Sequence, residues 1–367
     1  MSQGNYADAG VSYELLDAAK KLAAAQALST TGLLQARGGA AVDASRGEPA
    51  FVFELGDRSL AFVLECLGTK SVIARQYLEA GGTDCFEHIG YDAVAAIVND
   101  LCCVGALPLV VNAYFATGSS QWQQDPSGRY RSLVTGWRRA CEQAGAVWGG
   151  GETPSLTGII HPDEIDLAGA AVGEVPPGHR PILGQEMAPG DEIVLVASSG
   201  LHANGASLAR AVAAELPDGY RTELPSGREF GAALLDPTVI YVPLIEELLR
   251  RSLPVTYLSH ITGHGLRKVM RAQREFTYRL HSLPPVPEVL EFLAQRARLE
   301  PHEAWGVFNM GSGFAVFCGT GSGREVMQAA EDVGLTAILA GSTEPGQRRV
   351  IIEPLGVTYE SDELQLS

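Results

Sequence analysis

Apolar and polar positions alternate along this chain in patterns that predict strands and helices in turn. Phe51–Leu55 and 59–65 flank the turn residues Gly56-Asp57-Arg58 and predict a hairpin. Within its second arm, Leu60-Ala61-Phe62-Val63-Leu64 is apolar without alternation, the pattern of a strand covered on both faces. Over 86–105, Ile89, Ala93, Ala96, Ile97, Leu101 and Val104 recur at helical spacing and predict a helix. A strand is predicted over 109–115, a helix ending near Ala144, and a strand over 165–175. Pro176-Pro177-Gly178 then breaks the pattern and predicts a domain boundary, dividing the chain into 1–175 and 176–367. The second part restarts with the turn Pro189-Gly190-Asp191, a strand over 193–197, a glycine-bearing loop and an alanine-rich helix from near Ala206. Asp236-Pro237-Thr238 predicts another helix start, since aspartate can cap and proline is tolerated in the first turn. Helices near 286–297 and 323–333 alternate with strands near 313–318, 335–340 and 348–353. Intermixed strands and helices in both halves predict an α/β or α+β class.

A chain of 367 residues suits two domains, and 46% hydrophobic against 19% charged residues supports a sizeable core. The net charge of −16 argues against a nucleic-acid backbone or an anionic membrane as the main partner. Phosphorylated small molecules remain open, because they need only a few local donors. The first ten residues lack a basic segment followed by an apolar one, and the apolar run 107–113 is broken by Asn112, so a soluble, cytoplasmic protein is expected. The six cysteines show no C-x-x-C spacing and are expected to be free thiols.

On the predicted helix 86–105, Asp92 and Asn99 fall about 20° apart on one edge, with Asp100 near the middle of the apolar face. Such oxygens serve either as capped or salt-bridged groups or as ligands of a hard cation such as magnesium, and the spacing leaves both open. Gly149-Gly150-Gly151-Glu152-Thr153 would let backbone approach a ligand, with Glu152 at the rim. The loop 198–205 lies between a strand and a helix, where free N–H groups favour phosphate and His202 and Asn204 add donors. His260 and His264 have the spacing of zinc helices, but Thr262-Gly263 between them and Gly265 after them predict a loop. Gly319-Thr320-Gly321-Ser322-Gly323 lacks the ending of a phosphate loop, and Gly68-Thr69-Lys70-Ser71 has its lysine after the threonine. Any use of ATP therefore goes through a fold without a Walker A loop.

In chain order, Tyr6-Ala7-Asp8-Ala9-Gly10-Val11, Gly68-Thr69-Lys70, Gly90-Tyr91-Asp92, Val98-Asn99-Asp100-Leu101, Tyr114-Phe115-Ala116-Thr117-Gly118, Gly150-Gly151-Glu152-Thr153 and Asp166-Leu167-Ala168-Gly169 are followed by Ser198-Ser199-Gly200-Leu201-His202-Ala203-Asn204-Gly205, Pro237-Thr238-Val239-Ile240-Tyr241, His260-Ile261-Thr262-Gly263 and Phe308-Asn309-Met310-Gly311. Together they resemble the aminoimidazole ribonucleotide synthetase (phosphoribosylformylglycinamidine cyclo-ligase) family of purine synthesis. The resemblance implies two α/β domains, the first binding ATP and metal and sharing strands with a second subunit in a homodimer. It implies ATP and magnesium, with potassium as a further candidate, and ring closure of formylglycinamidine ribonucleotide by phosphorylation of its formyl oxygen. Carried over by position, Lys70, His202 and Asn204 would be catalytic. Gly68, Thr69, Asp92, Asn99, Gly150, Gly151, Glu152, Thr262 and Gly263 would bind the nucleotide, and Glu65, Asp92 and Asp100 the metal.

Three departures bear on that site. The family's Asp-Gly-Val-Gly-Thr-Lys reads here Glu65-Cys66-Leu67-Gly68-Thr69-Lys70, the third position of its Thr-Gly-Gly-Gly is His264, and the segment 22–34 has no lysine or arginine where the family carries a basic one. Another ATP-using member of the superfamily and a non-catalytic paralogue are the competing readings, the Glu65-Cys66 change being the main support of the second.

Overall fold

The computed structural model describes residues 22–364, so the motif at 6–11 lies outside the described residues. The first sheet is built from β1 (Gly39–Ala41), β2 (Phe51–Leu55), β3 (Arg58–Cys66), β4 (Leu107–Thr117), β5 (Val147–Glu152) and β6 (Ile165–Val175). Its order is β1-β2-β3-β6-β4-β5, antiparallel except for the parallel pair β4–β5. Helices α1 (Lys70–Glu79), α2 (Phe86–Cys102) and α3 (Arg129–Gln143) belong to this half, and α2 packs on both β3 and β6. The helices α2 and α3 cross at two glycines. A Cβ on Gly90 would sit 1.9 Å from the Leu133 carbonyl oxygen and one on Gly136 only 1.7 Å from that of Glu87. No other residue allows the two backbones so close.

Among the described residues, nothing covers the apolar row on the opposite face of this sheet. Register places Phe62, Val172, Val110 and Val147 in one row across β3, β6, β4 and β5. Phe62 is 43%, Leu64 68% and Val147 64% exposed, whereas the alternate residues Ala61 and Val63 are buried. This corrects the expectation that 60–64 is covered on both faces. The run is apolar on both sides, but among the described residues helices cover only one of them.

The second sheet takes β7 (Glu192–Ala197), β8 (Val255–His260), β9 (Phe276–Leu280), β10 (Ser312–Cys318), β11 (Ala337–Pro345), β12 (Arg349–Ile352) and β13 (Val357–Glu360). The order is β13-β12-β9-β11-β7-β10-β8, with only β12–β9 parallel. Helices α4 (Ala206–Glu215), α5 (Val242–Arg250), α6 (Glu288–Arg296), α7 (Pro301–Val307) and α8 (Gly323–Asp332) belong to this half, with a short helical turn at Phe230–Leu234. Among the described residues, no helix is long and apolar enough to cross a membrane.

The predicted helix start at Asp236 is overturned: 236–241 is not helical, and α5 begins at Val242 with a proline in its first turn. Side chains of α2 take up the backbone of this segment instead. His88 Nδ1 meets the Leu235 carbonyl at 2.8 Å, and Asp92 Oδ1 accepts from the Thr238 N–H at 2.7 Å. Asn99 donates to the Val239 carbonyl at 2.8 Å and accepts from the Tyr241 N–H at 2.9 Å, as a neighbouring strand would. One stripe of α2 thus joins the two halves, satisfying polar backbone that burial would otherwise leave unpaired.

Candidate active-site cleft

Between the halves lies a cleft of about 340 Å³. Its first wall is the end of β3 and the turn after it, 65–69, together with Ala96 and Asp100 of α2; its second is the loop 202–207, and its third runs from His260 through Thr262–His264 to Arg267. The walls touch at the rim, where Thr69 Oγ and Ser207 Oγ are 3.4 Å apart.

The structure redistributes the polar residues of α2. Asp92 and Asn99 are fully buried, while Asp100 keeps 17% of its side chain exposed and borders the cleft. The wheel reading, with Asp100 deepest, is reversed because the supposed free edge of α2 is covered by 235–241. Asp92 also pairs with Lys70 at 2.5 Å, both side chains at 0% exposure, and Lys70 reaches the Asp236 carbonyl at 3.4 Å. Neither Lys70, Asp92 nor Asn99 lines the cleft. In this structure Lys70 is the partner of a buried acid, and Asp92 and Asn99 support a buried segment.

Gly150, Gly151 and Glu152 are also apart from the cleft, on the edge strand β5. A Cβ on Gly151 would lie 2.0 Å from the Ala113 carbonyl oxygen, so close pairing with β4 accounts for that glycine. Glu65, Gly68, Thr69, Asp100, His202, Asn204, Thr262 and Gly263 are the expected residues that the fold does bring together. Gly68 holds φ +70 in the turn, whereas Cys66 still pairs with Ala168 in β3.

Hydrogen bonding fixes the chemistry of the two histidines. His260, at the end of β8, places Nδ1 2.7 Å from Asp100 Oδ1. Burial raises the Asp100 pKa, but the His260 hydrogen bond and charge, with Lys268 and Arg271, hold it below its ordinary value. The carboxylate is ionised, so Nδ1 carries the hydrogen and Nε2 is left without a partner among the described residues. His202, at φ +59, accepts the Ser199 N–H on Nε2 at 3.2 Å, which puts its ring hydrogen on Nδ1, also unpartnered there. Asn309 buttresses the loop, accepting from Ser198 Oγ and donating to the Gly200 carbonyl. Gly205, at φ +97, caps α4 and opens its first N–H groups beside the cleft.

Burial, then the His260 and Lys70 charges, push the His202 pKa well below 6.5. The folded state holds it neutral while the unfolded chain binds a proton, so stability is present above about pH 6.5 and falls as pH drops below that value. Urea denaturation at pH 7 and 5.5 is expected to show this loss, and His202→Gln to reduce it. Equal slopes for wild type and variant contradict the assignment.

Sequence reasoning set His260 aside as half of a failed zinc pair and did not single out Arg267 or Lys268. Among the described residues there is no cluster that could hold a metal by three His, Cys, Asp or Glu groups. The available signal was a lysine next to the apolar pair Val269-Met270, a place where burial forces a partner.

Two family models match the chain: AIR synthase related protein, N-terminal domain, over residues 47–175, and its C-terminal domain over 188–353. The phosphoribosylformylglycinamidine cyclo-ligase of Lachnospira eligens is 34% identical over 279 residues, 73% of this chain and 78% of the relative. That of Methanobrevibacter smithii is 31% identical over 316 residues, 85% and 89% of the two chains. A structure of the hydrogenase maturation protein HypE in complex with ATP superposes with a TM-score of 0.59 at 18% identity, covering 84% of this chain and 86% of that one, a likeness of fold.

Proposed function

The chain belongs to the AIR synthase related family, and from that premise we infer that it closes the imidazole ring of aminoimidazole ribonucleotide from formylglycinamidine ribonucleotide at the expense of ATP. The observation that carries this is the cleft itself. Carboxylates of Glu65 and Asp100 stand on one wall, and the α4 N-terminus with His202, Asn204 and Thr262 on the others. One side suits a hard cation, the other phosphate oxygens.

In the reaction the formyl oxygen takes the γ-phosphoryl group, ADP leaves, and the neighbouring nitrogen attacks the activated carbon as phosphate departs. Glu65 and Asp100 would hold magnesium, an arrangement that fits a donor set of two carboxylates completed by phosphate oxygens; bound there, the ion neutralises phosphate charge. The loop 202–207 orients the phosphates, and the cleft walls hold the nitrogen and carbon of one substrate at bonding distance. His260 Nε2, oriented by Asp100, is placed to exchange a proton with a ligand in the cleft.

ATP, magnesium, and residues 1–175 as the metal-binding and dimerising domain with 176–367 as the second domain are parts of this proposal, as is a cytoplasmic location. Purified protein given formylglycinamidine ribonucleotide, ATP and magnesium is expected to form ADP and the aminoimidazole product in equal amounts. ADP without product, or neither, overturns the proposal.

The bare apolar row on the first sheet supports a homodimer through this half, since a second copy across a two-fold axis would cover it. Size-exclusion with light scattering is expected to give a dimer, and Val110→Asp with Val147→Asp a monomer. A wild-type monomer at micromolar concentration ends the dimer assignment.

A further inference from the structure

Behind the third wall of the cleft lies a buried amine. Lys268 is 8% exposed, in the turn Gly265–Met270 that follows β8, and its Nζ donates to Thr262 Oγ at 2.8 Å. Its backbone carbonyl accepts from Ser259 Oγ at 2.9 Å, which ties the turn to β8. Thr262 lines the cleft. An ammonium offers hydrogens and no lone pair, so the threonine oxygen must be the acceptor of this bond. Its own hydrogen remains for another acceptor, and among the described residues Thr262 Oγ has no further hydrogen-bond partner. A hydroxyl that accepts from a cation is polarised into a stronger donor.

We propose that Lys268 is a positioning residue of this cleft: it commits the Thr262 hydroxyl to donate to an anionic oxygen of the bound ligand, and so favours phosphorylated ligands at that point. The proposal rests on the function proposed above for the identity of the ligands, and not for the hydrogen-bond geometry.

The charge of Lys268 makes its role readable. Burial, and then the charge of Arg271, push its pKa down to about 8, against Asp100, Cys103 and Glu65, which raise it. The Glu48 carboxyl, raised by burial and lowered in part by the Lys268 charge, also faces it. The Asp100 carboxyl lies below its ordinary range and burial pushes the Cys103 thiol up, so both keep one charge state near pH 8. An anion on Thr262 favours the ammonium and raises its pKa again. Below pH 8 the ammonium is already formed; above it, binding must be accompanied by proton uptake and weakens.

Calorimetric titration of the full-length protein with Mg-ATP, and separately with formylglycinamidine ribonucleotide, at pH 7 and 9.5 tests this. For at least one probe, wild-type affinity is expected to fall roughly tenfold between the two pH values. Lys268→Met is expected to bind that probe roughly tenfold more weakly at pH 7 and to lose the slope. Lys268→Arg should keep the affinity without the slope. Thr262→Val should weaken binding as Lys268→Met does, Thr262→Ser should restore it, and the double variant should be no worse than either single one. Should Lys268→Met fail to fold by circular dichroism, Thr262→Val carries the test, because the swap keeps the side-chain shape. Wild-type affinity in Thr262→Val, an unchanged slope in Lys268→Met, or a wild type that binds neither probe overturns the proposal. A wild type that binds Mg-ATP with this slope but forms no aminoimidazole product upholds the Lys268 assignment and removes the proposed reaction instead.

Discussion

Asp92→Ala is expected to lower the unfolding free energy by about 3–5 kcal/mol, because it leaves the Lys70 ammonium buried without its counter-charge. Both side chains are fully buried and 2.5 Å apart, so bulk solvent does not reach the ammonium to replace the lost charge. The substitution also strands the Thr238 N–H, whose acceptor is the other carboxylate oxygen. The cost should be the same in EDTA as in magnesium, since the structure gives this acid a lysine and a backbone N–H. A metal ligand would show the opposite, a loss that appears only when the cation is present. Lys70→Met together with Asp92→Asn should recover most of the stability: the buried charge is gone, and the amide oxygen still accepts from Thr238. Urea denaturation of the three proteins decides it. A loss under about 1 kcal/mol in Asp92→Ala, or one confined to magnesium buffers, contradicts the structural role.

The same residues show how far the sequence could be read. Periodicity located α2 within three residues of its end and the strand Ile165–Val175 at its limits, because each has a single apolar rhythm set by a sheet it packs against. Periodicity could not say which polar side of α2 was wet. That depended on 235–241, more than a hundred residues away, lying along the helix and accepting its His88, Asp92 and Asn99. The same blindness applies to 60–64, where an apolar run reads alike whether helices cover both of its faces or one. Of the site, the short motifs at Gly68-Thr69, His202–Asn204 and Thr262-Gly263 were visible because loops against a ligand need particular residues locally. For Lys268 the sequence offered only its apolar neighbours Val269-Met270; its partner Thr262 is chosen in the folded chain.

The Glu65-Cys66 pair bears most directly on whether the cleft turns over, and here the structure favours an intact site. Cys66 continues the antiparallel register of β3 against Ala168, and the left-handed position belongs to Gly68, two residues later, which is still glycine. Cysteine in place of the family's glycine therefore forces no strained backbone. Glu65 pairs with Gly169 at the end of the same strand and lines the cleft with Asp100. Its extra methylene displaces the carboxylate by about 1.5 Å relative to aspartate, a shift that a near-octahedral magnesium site tolerates only if the wall is built around glutamate. Asp100→Asn is accordingly expected to lower kcat roughly a hundredfold or more with the fold intact, because the amide oxygen still accepts from His260 while the charge that would face the proposed magnesium is lost. Glu65→Ala should act likewise. Glu65→Asp with Cys66→Gly should fail to raise activity, since it withdraws the carboxylate from a site already fitted to glutamate. ADP and aminoimidazole product measured together across a magnesium titration distinguish the cases. A double variant faster than the wild type would show instead that the wall still has the spacing of the aspartate form and that the glutamate holds the enzyme back.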